Sequence, residues 1–404
     1  MSDLSVRRMA DGFATRRDET LADPRHSTRT AAILGISLGV CFSVCFLTGL
    51  YSHFAQHPPG WFTLPASPTG LYRVTQGLHV ATGIAAVPLL LAKLWSVYPQ
   101  FFQWPVVQSL PHLLERLSLV PLVAGALFML FSGVANIDLW YPLPLFFPTG
   151  HYWVAWLTMG AMATHIGAKL ATTRQALRPS AAPTSAPVPA SASASRLPPD
   201  PGAPDDAIVR RRFLTMVGGA SALLTVVTIG QTVEPLRGLA LLAPRRPDTG
   251  DSGFPVNNTA AEAHVLEKIM DPAYRLRVDG AVPAPFELTL ADLQARTQHE
   301  AELPIACVEG WSASRVWRGV RLRDLLDAAG APTGVHVTVH SFEDGLYAKS
   351  EINPGQVEHP DTLLALAVNG AALSPDHGYP VRLIAPNRPG VMQTKWLSRI
   401  EVHA

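Results

Sequence analysis

The sequence predicts an α-helical transmembrane bundle, four helices plus a fifth anchor helix, followed by an α+β domain. Three observations lead there. Hydrophobic residues make up 48% of the 404 and charged residues only 16%, too apolar a mixture for one water-soluble globule. Five apolar runs, at about 31–51, 74–95, 113–135, 152–172 and 213–230, approach the roughly 20 residues that cross a bilayer core. From about residue 250 the pattern changes to short mixed runs. The net charge of +1, with no clustered basic surface, argues against nucleic acid as a partner and leaves membrane lipid as the environment of the N-terminal half.

Each element has its own signal. The first 30 residues carry Arg7, Arg8, Arg16, Arg17, Arg25 and Arg29, whereas segments 52–71 and 136–150 contain no Lys or Arg. Lys93 and Arg116 flank the 96–112 loop, and Lys169, Arg174, Arg178 and Arg210 to Arg212 follow the fourth run. The positive-inside rule therefore places the N-terminal segment 1–30, the 96–112 loop and the 175–212 region in the cytoplasm. The membrane domain spans 31–174, and the Pro/Ala/Ser-rich stretch 175–209 is expected to be an unstructured tether. The fifth run, within an anchor at 210–235, carries the rest of the chain outside, which in a bacterial inner membrane means the periplasm. Beyond it, "YRLRVDGAV", "HVTVHSF" and "YPVRLIAP" have strand patterns, and "RLRDLLDAAG" is an amphipathic helix ended by Gly330. Their irregular order favours α+β over a doubly wound sheet.

Three cysteines cannot supply a disulfide framework. Cys41 and Cys45 lie four apart in the first apolar run and suit packing, whereas Cys307 stands alone in "ACVEGWSASRVWRG". The runs "CVEGWSASRVWRGVRLRDLLDAAG", "SFEDGLYAKS" and "LLALAVNGAALSPDHGYPVRLIAPNRPGVMQTKWLSRIEV" closely resemble the molybdopterin-binding domain of the sulfite oxidase superfamily, over about 250–404. The resemblance implies that Cys307 supplies the thiolate that binds molybdenum, a soft donor beside the two sulfurs of a pterin dithiolene. The plain alternative is a small buried hydrophobe. The resemblance also implies cofactor contacts from His377, Arg382, the backbone at Gly390 and Lys395, with Asn257 of "FPVNNTA" as a further contact. Arg382 suits bidentate hydrogen bonding and Lys395 a point charge to phosphate. Met392 stands where some relatives carry a basic residue. Arg315 is a catalytic candidate that presents positive charge to an oxyanion substrate, or else a structural ion-pair partner. The chain ends soon after "KWLSRIEV", so the C-terminal immunoglobulin-like domain of eukaryotic sulfite oxidases is not expected, and the better likeness is to small bacterial members such as periplasmic methionine-sulfoxide reductases.

Histidines inside apolar spans are costly unless paired or ligating. His79 lies in the second run, and His151 and His165 in the fourth. The latter two are 14 residues apart, close to four helical turns, hence on one face and about 21 Å apart along the axis. This resembles the cytochrome b subunits of formate dehydrogenase and nickel-iron hydrogenase, and implies haem b. Depth pairs His79 with His151 on an outer haem. His165 lies in the inner half, where the first run has no histidine to meet it; His26 and His112 at the water boundary are substitute partners or else simply exposed residues. His53 and His57 suit either interfacial positions or a haem or quinone role. "RRRFLTMVGGA" resembles a twin-arginine export signal, and Arg210 to Arg212 equally suit ordinary cytoplasmic anchors.

The expected function is a molybdopterin-dependent membrane oxidoreductase. Electrons pass between the quinone pool, haem b and molybdenum, and a small oxyanion or sulfoxide-type substrate undergoes two-electron oxygen-atom transfer. The alternatives are a non-catalytic electron carrier or sensor, and a haem-only transmembrane metal-chelate reductase.

Overall fold

The computed structural model describes residues 23–101, 110–143, 147–178, 206–246, 248, 250–345 and 347–403. The expected N-terminal segment as far as residue 22, and the tether from 179 to 205, lie outside the described residues. Helix α1 is Thr28–Gln56, α2 Leu71–Phe101, α3 Leu110–Ile137, α4 Phe147–Leu177 and α5 Asp206–Ile229. Four helical stretches among the described residues are long and apolar enough to cross a membrane: Thr28–Gln56, Leu71–Pro99, Arg116–Ile137 and Asp206–Ile229. Helix α4 is as long but is not among these four, and it carries His151, His165 and several Thr and Gly residues.

The chain divides into two compact units. The first comprises Met1–Ser43, Thr82–Gly133 and Leu145–Thr225, as far as these are described. Ser27 Oγ accepts from the Thr30 N–H at 3.2 Å and so caps the start of α1. Leu38, Ala86, Leu90 and Ala126 form an apolar centre among α1, α2 and α3. Gly125 lets α4 approach α3: a Cβ there would stand 2.2 Å from Thr158 Oγ1. Outward-facing Val40, Leu91, Leu117, Val120, Leu157 and Leu223 are exposed, as lipid-facing positions should be. His26 is buried, with its ring 4.4 Å from that of Trp95 and Nδ1 at 3.1 Å from the Ser96 carbonyl, so this histidine is already engaged at the end of the bundle. The side chain of His112 lies outside the described residues.

The second unit comprises Val44–Ala81, Val134–Pro144 and Val226–Ala404. It therefore joins one end of α1, α2 and α3 to the whole α+β region. Two sheets form the latter. One has the order β2-β1-β10-β5-β6, from Phe286–Leu288, Leu276–Gly280, Leu397–His403, His336–Ser341 and Lys349–Ile352. Strands β1 and β10 run parallel, and the other pairs are antiparallel. The other sheet has the order β3-β4-β7-β8, with β9 also paired to β7, from His299–Ala306, Ser312–Arg321, Leu363–Val368, Ala371–Ala372 and Arg382–Ile384. Four short helices complete the unit: α6 Leu266–Met270, α7 Leu290–Ala295, α8 Leu322–Ala328 and α9 Pro354–Val357.

Local sequence explains these elements. In β3, Ala301, Leu303 and Ile305 alternate inward, and Pro304 is tolerated because β3 is an edge strand. "LLALAV" is buried along its whole length because β7 is central. Helix α8 buries Leu322, Leu325 and Leu326 and ends before Gly330, whose φ of +72° terminates it. Trp317 of β4 is fully buried, and its indole N–H donates to the Leu303 carbonyl at 3.2 Å, which ties the β3–β4 hairpin.

Candidate active site

Strands β3 and β4 meet at Ala306 and Ser312, and the turn between them carries Cys307. The Cys307 N–H donates to the Trp311 carbonyl at 2.9 Å, and the Gly310 N–H to the Cys307 carbonyl at 3.1 Å. Gly310 has φ of +84°, a left-handed conformation that glycine adopts without strain. The hairpin thus carries a buried thiol, 2% exposed, at its tip. Asn257 Nδ2 donates to Cys307 Sγ at 2.9 Å, so two residues 50 apart in sequence meet in the site.

Among the described residues no base is hydrogen-bonded to the thiol. Burial first, and then the nearby Glu309 carboxylate, push it up to about 12 against smaller opposing contributions that include the Asn257 bond. At neutral pH it is protonated, a poor nucleophile, and a metal cation is the natural agent to hold it as thiolate. Glu309 is itself buried and pushed up to about 7 by desolvation, opposed by Arg245 at 3.9 Å and by the Trp311 indole N–H at 3.3 Å. Glu309 lies inside the quoted motif, two residues from the cysteine, yet only its burial distinguishes it from a surface carboxylate.

Cationic groups gather nearby. Arg382 is 5% exposed, packed between the rings of Trp317 at 5.7 Å and Phe254 at 6.0 Å. Its Nη1 donates to the His377 carbonyl at 3.1 Å, whereas its buried Nε has no hydrogen-bond partner. Desolvation brings Arg382 down to about 9, and negative charge on Cys307, once deprotonated, would oppose this. Lys395 donates to the carbonyls of Asn258 and Asp376, and burial followed by the Arg382 charge lowers it to about 7. Gly378, with φ of +107°, lets both side chains converge: a Cβ there would lie 3.1 Å from the Arg382 Cβ and 3.2 Å from the Lys395 Cβ.

Gly390 also joins the site. Its loop runs beside the cysteine turn through a bridge between Ala306 and Pro389, and a Cβ on Gly390 would stand 3.0 Å from the Ala306 carbonyl oxygen. Two candidates are engaged within the protein. Arg315 donates to the Ser314 and Gly253 carbonyls and lies 4.0 Å from Glu234, so its observed contacts are structural. His377 is buried with Nδ1 at 2.9 Å from Ser374 Oγ and Nε2 at 3.1 Å from the Phe254 carbonyl.

Arg388 was not marked by sequence. It is buried and donates to the Met392 carbonyl, to Gln356 Oε1 and to the Glu351 carbonyl at 3.0, 2.8 and 2.6 Å, so it braces the loop that carries Gly390.

The burial of His377 predicts acid sensitivity. Burial lowers it to about 4, the Arg382 and Lys395 charges acting in the same direction. An unfolded chain takes up this proton from about pH 6.5 downward, whereas the folded chain resists until near 4, so acidification through that window favours unfolding. The thermal midpoint of detergent-solubilised protein is expected to fall between pH 6.5 and 4, and to fall less in His377→Gln. Parallel pH profiles for the two proteins would remove His377 as the cause.

Residues 263–404 match the oxidoreductase molybdopterin binding domain family. The chain is 33% identical over 129 residues to an uncharacterised oxidoreductase, YuiH, of Bacillus subtilis, covering 32% of this chain and 64% of that protein. It is 32% identical over 169 residues to sulfite oxidase of Gallus gallus, covering 34% and 37%. A protein of Azospira oryzae described as "Putative protein-methionine-sulfoxide reductase subunit YedZ1" is 30% identical over 162 residues, covering 40% and 61%. The chain thus spans less than two thirds of the length of each of these relatives. Its C-terminal region is a molybdopterin-binding oxidoreductase domain of the sulfite oxidase type.

The residues present fit that cofactor. A single soft thiol, a buried guanidinium with an unpartnered Nε, and a glycine that keeps a loop against the cysteine turn suit a ligand that brings a metal, an anionic phosphate and most of the metal's donors. The buried Nε2 of Gln393, on the Gly390 loop, is a further unpartnered donor.

Proposed function

We propose that this chain is an inner-membrane redox enzyme in which Cys307 binds the molybdenum of a molybdopterin, and Arg382, Lys395, Asn257 and the Gly390 backbone hold the cofactor. The bound group supplies two-electron oxygen-atom transfer. The protein's share is to orient it, exclude water and set its charge environment. The observation that carries this reading is the buried Cys307 thiol, unsuited to nucleophilic attack, bonded to Asn257 and within electrostatic reach of the Arg382 guanidinium, which has no carboxylate partner among the described residues. The substrate is a small oxyanion or sulfoxide. The relative described as a methionine-sulfoxide reductase subunit supports the sulfoxide, with electrons supplied by quinol.

Haem b is the proposed carrier between quinol and molybdenum, with His79, His151 and His165 as axial ligands. His79 Nδ1 lies 2.9 Å from the Cys45 carbonyl and 3.2 Å from Thr48 Oγ1, and His151 Nδ1 lies 2.8 Å from Ser132 Oγ. Such anchoring of one ring nitrogen orients the imidazole, as it does in metal-ligating histidines. The distribution of Lys and Arg supports a periplasmic position for the molybdenum domain, and "RRRFL" supports export after cofactor insertion.

Redox-titrated optical spectra of single variants test the haem. His79→Ala and His151→Ala are expected to lose the same low-spin signal, and His165→Ala to retain it. Loss of that signal in His165→Ala alone, with His151→Ala unaffected, would overturn the pairing. Purified chain supplied with a reduced dye is expected to reduce methionine sulfoxide faster than it oxidises sulfite with an oxidised dye, and the reverse ranking would transfer the assignment to a sulfite-type dehydrogenase.

A further inference from the structure

The Cys307 turn is held from outside the matched domain. Two of its carbonyls, those of Val308 and Gly310, point away from the internal bonds of the hairpin and need donors if they are buried. The donors come from the helices. Gln76 Nε2 of α2 donates to the Val308 carbonyl at 3.3 Å, and Asn136 Nδ2 of α3 approaches the same oxygen at 3.5 Å. Thr232 Oγ1, just beyond α5, donates to the Gly310 carbonyl. In return the Ser312 N–H donates to the Gln231 carbonyl at 2.9 Å.

Packing makes these bonds specific. Gln76, Gln231, Thr232 and Ser312 are all buried. A Cβ on Gly310 would lie 2.7 Å from Val80 Cγ2, and one on Gly77 would lie 2.9 Å from Thr232 Cγ2. Two glycines, one on the turn and one on α2, therefore open the close approach that the hydrogen bonds require. The hairpin's own bonds leave the Val308 and Gly310 carbonyls to these helix-end donors, which hold the turn on the C-terminal side of the cysteine.

We propose that Gln76, Asn136 and Thr232 are positioning residues for Cys307, so that the transmembrane helices complete the active site of the molybdopterin domain. All three lie outside residues 263–404. The inference rests on the assignment of Cys307 as the molybdenum ligand, and its consequence is that displacing the turn misplaces the sulfur by a fraction of an ångström without removing the cofactor.

The test uses full-length protein in detergent, with Gln76→Met, Thr232→Val and the conservative Thr232→Ser. Molybdenum per chain, the Mo(V) electron paramagnetic resonance spectrum, kcat and KM are measured. Gln76→Met and Thr232→Val are expected to retain wild-type molybdenum, show shifted g-values and lose roughly tenfold or more in kcat with KM within about twofold. Thr232→Ser is expected to match wild type, since it keeps the hydroxyl donor. Unchanged spectra and kcat in Gln76→Met and Thr232→Val overturn the proposal, and if Thr232→Val fails to accumulate, Gln76→Met decides alone. If the wild-type chain binds no molybdenum, the cofactor assignment falls instead. The positioning role is then decided by alkylation of Cys307 in the cofactor-free chain, expected to be faster in Thr232→Val than in wild type or Thr232→Ser, with equal rates overturning it.

Discussion

Cys307→Ser is expected to insert normally in the membrane and to lose turnover by roughly three orders of magnitude in kcat or more, about 4 kcal/mol of transition-state stabilisation. The cause is donor chemistry and not bulk. The side chain is buried at the tip of the β3–β4 hairpin, so serine fits the space and leaves the Asn257 amide a partner. A serine hydroxyl is a harder and far less acidic donor than a thiol, and a metal that favours thiolate gains little from it. Steady-state kinetics with a sulfoxide and a dye donor, alongside solubility and expression of the variant, measure the effect. Wild-type kcat in Cys307→Ser would return the cysteine to the role of a small packing residue.

Arg382→Met is expected to raise the thermal stability of cofactor-free protein while reducing cofactor retention nearly to zero. In the folded chain Arg382 is a buried cation with one carbonyl partner, two aromatic faces and an unpartnered Nε. Desolvation costs such a group several kcal/mol. One hydrogen bond and two cation–π contacts recover about 1–3 kcal/mol of that. Methionine of similar reach therefore stabilises the empty site by on the order of 1 kcal/mol. With an anionic cofactor present the balance reverses, because the guanidinium then gains a charge-assisted partner and its loss costs about 3–5 kcal/mol, roughly two to three and a half orders of magnitude in affinity. Thermal unfolding without cofactor and molybdenum content after purification measure the two arms. A variant that is less stable when empty yet fully loaded would make Arg382 a structural cation.

Much of this was visible in the residues. Long apolar runs declare themselves because lipid demands about 20 apolar residues in succession, and α1, α2, α3 and α5 satisfy that demand. Helix α4 was legible as a helix, but, carrying two histidines, it is not among the stretches long and apolar enough to cross a membrane. Cys307 was legible because a lone cysteine sat in a recognisable motif, and the structure adds that Asn257 bonds its sulfur, that the Gly390 loop runs beside its turn, and that Arg382 and Lys395 meet at Gly378. The grip on its turn was not legible. Gln76 and Thr232 are separated from Val308 and Gly310 by 232 and 78 residues, and at the ends of apolar runs they look like ordinary interfacial polar residues. His377 illustrates the converse: its motif suggested a cofactor contact, while both ring nitrogens are engaged by Ser374 and Phe254, a pairing that depends on a loop 123 residues away.

The most direct test of molybdenum ligation by Cys307 is X-ray absorption at the molybdenum edge on purified full-length protein, counting sulfur neighbours in wild type and in Cys307→Ser. The expected result is three sulfurs in wild type, two from the dithiolene and one from the protein, and two in the variant; the same count in both would contradict the assignment.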